Sequence, residues 1–198
     1  MNSFTNNSQS ITSRIHEIIS SVSLEENEKA IAEILSAKSV FVFGAGRSGL
    51  VGRAFAMRLI HLGKIVHFVG DCTTPAITAE DILITISGSG KTSSVVQLAE
   101  AAKARNAKIL AISSTTDSPL AEVADALVVI PIKKDSDDKG GNYLDRQLAP
   151  DEQFNKITPM GTLFELSVMI YFDSIVPVMM EKLGVSESHM KNNHANLE

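Results

Sequence analysis

The chain has 198 residues, enough for one domain at roughly 150 residues each and too few for two full ones. Hydrophobic residues make up 44% and charged residues 21%, with 18 Lys plus Arg against 23 Asp plus Glu and a net charge of -5. That balance excludes global disorder and argues against a fold that grips nucleic acid through a basic stripe. The single cysteine, Cys72, leaves no intramolecular disulfide. The polar start, Met1 to Ser8, lacks the apolar core of a signal peptide, so a cytoplasmic location is expected.

Ile11, Ile15, Ile18, Ile19 and Val22 form a helical stripe. Ser23-Leu24-Glu25-Glu26 reads as a capping box opening a second helix, with Ala30, Ile31, Ile34 and Leu35 on its apolar face. Four short β-branched runs follow, Val40–Phe43, Ile65–Val69, Ile82–Ile86 and Ile109–Ile112, then a fifth, Leu127–Ile130. Each is apolar throughout, as expected of parallel strands covered on both faces. Helical patterns lie between them at Leu50–Leu62, at Ser93–Arg105 and after Ser118-Pro119. The prediction is an α/β fold, a five-stranded parallel sheet with helices on both sides.

Lys133–Lys156 is charged, contains Gly140-Gly141 and reads as a lid or binding loop. Thr158-Pro159 predicts an N-cap and first helical residue, with the helix running to about Leu183 and stopping at Gly184. That helix is apolar nearly all round, so it is expected to be buried on several sides, partly at a subunit interface. Glu165, Asp173, Pro177 and Glu181 make it a poor membrane span.

Ligands of open α/β sheets bind beyond the carboxyl ends of the strands, so the turns there carry the chemistry. After the first strand, Gly44-Ala45-Gly46-Arg47-Ser48-Gly49 matches the dinucleotide fingerprint, and Asp71 follows the second strand. Arg47 and Ser48 at the variable positions give this turn a cation and a hydroxyl instead, so a nicotinamide site is the weaker reading. After the third strand, Ser87-Gly88-Ser89-Gly90-Lys91-Thr92-Ser93 imitates a Walker A loop but has Thr85 where that motif needs glycine. Small hydroxyl residues before a helix N-terminus suit a phosphate without any metal; the alternative is an elaborate helix cap.

Taken in order, these two turns resemble the sugar isomerase (SIS) domain. Met57–Gly63, Thr158–Glu165 and His194–Glu198 sharpen this to a resemblance with the 6-phospho-3-hexuloisomerase family of SIS-domain phosphosugar isomerases. The resemblance implies a single three-layer, flavodoxin-like SIS domain over residues 37–185. An N-terminal helical pair (1–36) would pack on it, and a C-terminal tail (186–198) would follow. It further implies a phosphosugar substrate and a homotetramer with sites at subunit interfaces. No nucleic acid, membrane, cofactor or metal is expected. The substrate-binding residues would be Gly46, Arg47, Ser48, Ser87, Ser89 and Thr92.

Moving a carbonyl from C3 to C2 requires a base, a means to stabilise an enediolate and a phosphate anchor. Glu165 reads as a lone carboxylate in the second turn of an otherwise apolar helix, where partial burial would tune it as a base. The alternative is a carboxylate paired to Arg47, Arg53 or Arg58. The resemblance favours Glu165 as the base and His194, donated from a neighbouring subunit, as its acid/base partner. His61 reads as a histidine stabilising the end of its helix; His16, His67 and His189 read as structural. Arabinose 5-phosphate or sedoheptulose 7-phosphate isomerisation, or phosphosugar sensing without catalysis, are the alternative functions.

Overall fold

The computed structural model describes residues 3–132, 158 and 160–197. Two helices, α1 (Ser3–Ser20) and α2 (Leu24–Ser36), precede the first strand. The alternating part comprises β1 (Ser39–Gly44), α3 (Gly46–His61), β2 (Ile65–Phe68), β3 (Ile82–Ile86), α4 (Ser93–Lys103), β4 (Lys108–Ser113), α5 (Pro119–Val123) and β5 (Ala126–Val129). A long helix, α6 (Thr162–Leu183), and a short one, α7 (Glu187–Asn192), follow.

The sheet is parallel throughout, in the order β2-β1-β3-β4-β5. Successive side chains leave a strand on opposite faces, and the core divides accordingly. Val40, Val42, Ile82, Ile84 and Ile112 pack under α1, α2, α3 and α6. Phe41, Leu83, Ile109 and Ala111 pack under α4 and α5. Since α3 and α4 cover opposite faces, their N-termini diverge from the crevice between β1 and β3, the switch point where this topology binds ligands.

Glycine lets α3 close on the sheet there. A Cβ on Gly49 would fall 2.4 Å from the Gly44 carbonyl oxygen, and one on Gly52 would meet Ile86 and Val42 at 3.0 Å. Only half of the expected capping box forms: Ser23 accepts from the Glu26 amide, but the Glu26 carboxylate accepts from the Val129 amide at 2.9 Å instead of returning to Ser23.

Three expectations need correction. The third helix starts at Gly46, not Leu50, because Gly46 takes a left-handed φ of 58° and turns the chain straight into the helix. Strand β2 is not covered on both faces: it lies at the sheet edge and Ile65 is 56% exposed. The long helix begins at Thr162 with Gly161 as N-cap, so Thr158 does not open it; Pro159 lies outside the described residues. Gly184 does stop it, with φ 65°. So do Lys133–Lys156 lie outside the described residues.

Within one chain α6 buries Leu163, Phe164, Val168, Phe172, Ile175 and Met179, and Phe172 stacks on Phe55 of α3 with ring centroids 3.9 Å apart. Leu166, Ile170 and Val178 of α6 stay exposed, as do Leu50, Met57 and Ile60 of α3, the helix it packs against.

Candidate active site

Among the described residues, three helices present their N-termini without a side-chain cap: α3 behind Ala45, α4 behind Thr92 and α6 behind Gly161. Helices α2, α5 and α7 are each capped by a serine hydroxyl. Thr92 could cap α4, yet its hydroxyl turns to Ser87, with the two oxygens 3.0 Å apart. The leading amides of α4 therefore keep their capacity for an anion, reinforced by the helix dipole.

The loop between β3 and α4 is built rigidly. Ser87 is 3% exposed, and its amide donates to the Ile112 carbonyl at 3.0 Å. Ser89 Oγ accepts from the Lys91 amide at 3.1 Å. The Gly88 carbonyl accepts three bonds from the end of β4 and the residue after it: the Ser114 amide at 3.0 Å, the Ser114 hydroxyl at 2.6 Å and the Ser113 hydroxyl at 3.3 Å. Gly90 has a left-handed φ of 62°, and a Cβ there would collide with Ser118 Oγ at 2.1 Å. Glycine is needed at 90 for both reasons.

Across the crevice, Gly46, Arg47 and Ser48 form the first residues of α3. Arg47 Nε donates to Glu165 Oε2, joining the start of α3 to the first turn of α6. Glu165 is 8% exposed, whereas the Arg47 side chain is 62% exposed. The helix N-terminus favours a negative side chain at this position. The carboxylate therefore stands in the first turn, not the second, and in an ion pair with Arg47, which the sequence left as an alternative. A carboxylate beside a guanidinium, near a hydroxyl-lined loop, can take a proton from carbon while the cation faces a developing enediolate.

Asp71 does not fit a ribose-binding role. It pairs with Arg53 at 2.8 Å, which holds its carboxyl below the usual range, and the Arg53 guanidinium lies 3.7 Å over the Phe68 ring. Arg58 reaches Asp173 on α6 at 3.4 Å.

The histidines lie elsewhere. His61 is 5% exposed in the last turn of α3, and the His194 ring packs against it with centroids 5.0 Å apart. Asn193 Nδ2 donates to the His61 carbonyl at 3.1 Å. The fourteen steps from Arg47 to His61 span about 21 Å at 1.5 Å each, so one chain does not bring His194 to its own Glu165. His67 packs on Phe41 at 5.0 Å, and His189 sits beside Asn193 at 3.0 Å.

With this geometry in view, the family model of the SIS domain matches residues 33–143. The chain belongs to the SIS domain family. A Mycobacterium gastri protein named 3-hexulose-6-phosphate isomerase is 40% identical over 98% of this chain and 91% of its own length. One of the same name from Bacillus subtilis is 35% identical over 95% of each. A crystal structure of a Methanococcus jannaschii protein, for which a molecular function of 3-hexulose-6-phosphate isomerase was inferred, is 36% identical. It superposes with a TM-score of 0.77 over 95% of this chain and 97% of that one.

In this SIS domain the end of β4 and the loop after it, Ser113-Ser114-Thr115-Thr116-Asp117-Ser118, brace the Ser87–Thr92 loop and were missed from sequence. Their signal was the one used for Ser87–Ser93: clustered hydroxyls just beyond a strand's carboxyl end. Phe164 was also missed, because an aromatic in an apolar helix carries no local mark of contact with a loop.

Proposed function

We propose that this SIS-domain isomerase interconverts D-arabino-3-hexulose 6-phosphate and fructose 6-phosphate through a 2,3-enediol(ate), in the ribulose monophosphate pathway of formaldehyde fixation. The observation that carries the proposal is the Arg47–Glu165 pair set across from the hydroxyl-lined loop Ser87–Thr92. This arrangement occurs in a chain aligned almost end to end with relatives named for that activity. In this reading Gly46, Ser48, Ser87, Ser89 and Thr92 receive the phosphosugar. Glu165 moves the proton between C2 and C3, and Arg47 steadies the enediolate oxygens. The chemistry balances without an oxidant, since one C–H bond breaks and another forms while the carbonyl shifts by one carbon.

His194 serves as the second acid/base group of a neighbouring subunit's site, in a cytoplasmic homotetramer. Two features support a shared site: the roughly 21 Å between the two ends of α3, and the apolar residues that α3 and α6 leave exposed. The test is fructose 6-phosphate in deuterated water, followed by NMR. Deuterium at C3 and the appearance of a 3-ketose are expected. An unchanged sugar at high protein concentration overturns the reading in favour of a phosphosugar-sensing module.

A further inference from the structure

The first turn of α6 touches both halves of the candidate site. The Phe164 ring lies against Gly88, such that a Cβ on Gly88 would fall 3.2 Å from Phe164 Cδ1 and 3.3 Å from Cγ. The next residue, Glu165, is paired with Arg47. Phe164 is 4% exposed, so its ring has little room to swing away. Gly88 is held too, because its carbonyl is fixed by the three donors from Ser113 and Ser114. Gly88 is not among the residues with a positive φ, so conformation does not demand glycine there. Space does.

Packed side chains are nearly incompressible on this scale, so the Phe164–Gly88 contact sets the separation between the anion loop and the carboxylate. For a sugar whose phosphate is fixed at one end, that separation decides which carbon the base reaches. Fructose 6-phosphate makes the choice visible. Its C2 carbonyl acidifies protons on both C1 and C3, and C1 lies farther from the phosphate. Proton loss from C3 leads to the 3-ketose, whereas loss from C1 leads to an aldose.

We propose that Phe164 is a positioning residue: packed on Gly88, it fixes the span from anion loop to Glu165 and thereby directs proton abstraction to C3 rather than C1. The inference rests on the isomerase reading above. A methyl group on Gly88 would push Phe164, and Glu165 with it, away from the loop. A smaller side chain at 164 would leave room for that methyl.

The test compares wild type with Gly88→Ala, Phe164→Leu and the double variant. Three quantities are read: the inhibition constant of inorganic phosphate, the rate of deuterium entry at C3 of fructose 6-phosphate, and the ratio of label at C1 to C3. Each single variant should keep the phosphate constant while C3 exchange falls about 3- to 10-fold, the order expected of a misplacement of a few tenths of an ångström where 1 Å costs about 10²-fold. Gly88→Ala should raise the C1 to C3 ratio, and the double variant should recover C3 exchange and restore the ratio. Phosphate inhibition weakening in step with exchange overturns the proposal, because the loop itself would then be damaged. So does a double variant in which the two losses multiply, or a ratio that never moves. A wild type inhibited by phosphate but silent in exchange overturns the isomerase reading, and this inference with it.

Discussion

Glu165→Gln removes a charge and almost nothing else. The amide keeps the volume of a side chain that is 8% exposed, and its carbonyl oxygen can still accept from Arg47. Two stabilising interactions are weakened. The ion pair involves a guanidinium side chain that is 62% exposed, so it contributes at most about 1 kcal/mol. The attraction of the carboxylate to the N-terminus of α6 contributes about 0.3–1 kcal/mol. Their sum, at most about 2 kcal/mol, corresponds to a fall in Tm of at most about 8 °C for a domain of this size. Loss of the base should instead cost about 10²–10⁴ in kcat, or about 3–5.5 kcal/mol of barrier. Initial rates with fructose 6-phosphate, measured well below the Tm of the variant, separate the two effects. A kcat within tenfold of wild type, or a loss that only tracks the unfolded fraction, refutes Glu165 as the base.

Removing the Ser89 or Thr92 hydroxyl should mainly raise KM, since a remote phosphate handle contributes largely to binding; steady-state kinetics with both parameters unchanged would remove the anchor from this loop. His194→Ala should slow turnover from fructose 6-phosphate, whose ring must open, yet spare single-turnover deuterium exchange of the open-chain 3-ketose, which collapses in Glu165→Gln. Equal loss in both variants would put His194 in the enediol step. Leu166→Asp or Ile170→Asp should split the oligomer and abolish activity together, and sedimentation of wild type as a monomer at micromolar concentration would refute the shared site. Asp125 accepts from Lys103 and the Ile109 amide, and these bonds outweigh burial and hold its carboxyl below the usual range. A pKa lower in the folded than in the unfolded state stabilises above the unfolded value, and that stability is lost as pH falls through the folded one. Asp125→Asn should therefore flatten the fall of Tm below about pH 4, and an unchanged profile would refute this.

The glycines after β1 and the hydroxyls after β3 were legible because the constraint on each is local. Gly46 and Gly90 take left-handed backbone angles, and a run of small residues between a strand and a helix leaves amides for an anion. The five strands were legible for a similar reason, since each is a short apolar run bounded by turn residues. The start of α6 was misread because Thr158-Pro159 satisfies the local rules for opening a helix, whereas the helix starts at Thr162.

By itself the sequence determined which segments become strands and helices, the parallel sheet, and the two glycine- and hydroxyl-rich turns at the carboxyl ends of its strands. Periodicity, capping and turn preference act over a few residues and leave their mark in the local order. The tertiary structure alone decided three pairings: Arg47 with Glu165, Phe164 with Gly88, and His194 with His61 instead of its own carboxylate. Each joins residues 76 or more positions apart. A contact of that kind depends on how far a helix extends and on which face of the sheet it lands, and no local pattern of residues encodes either.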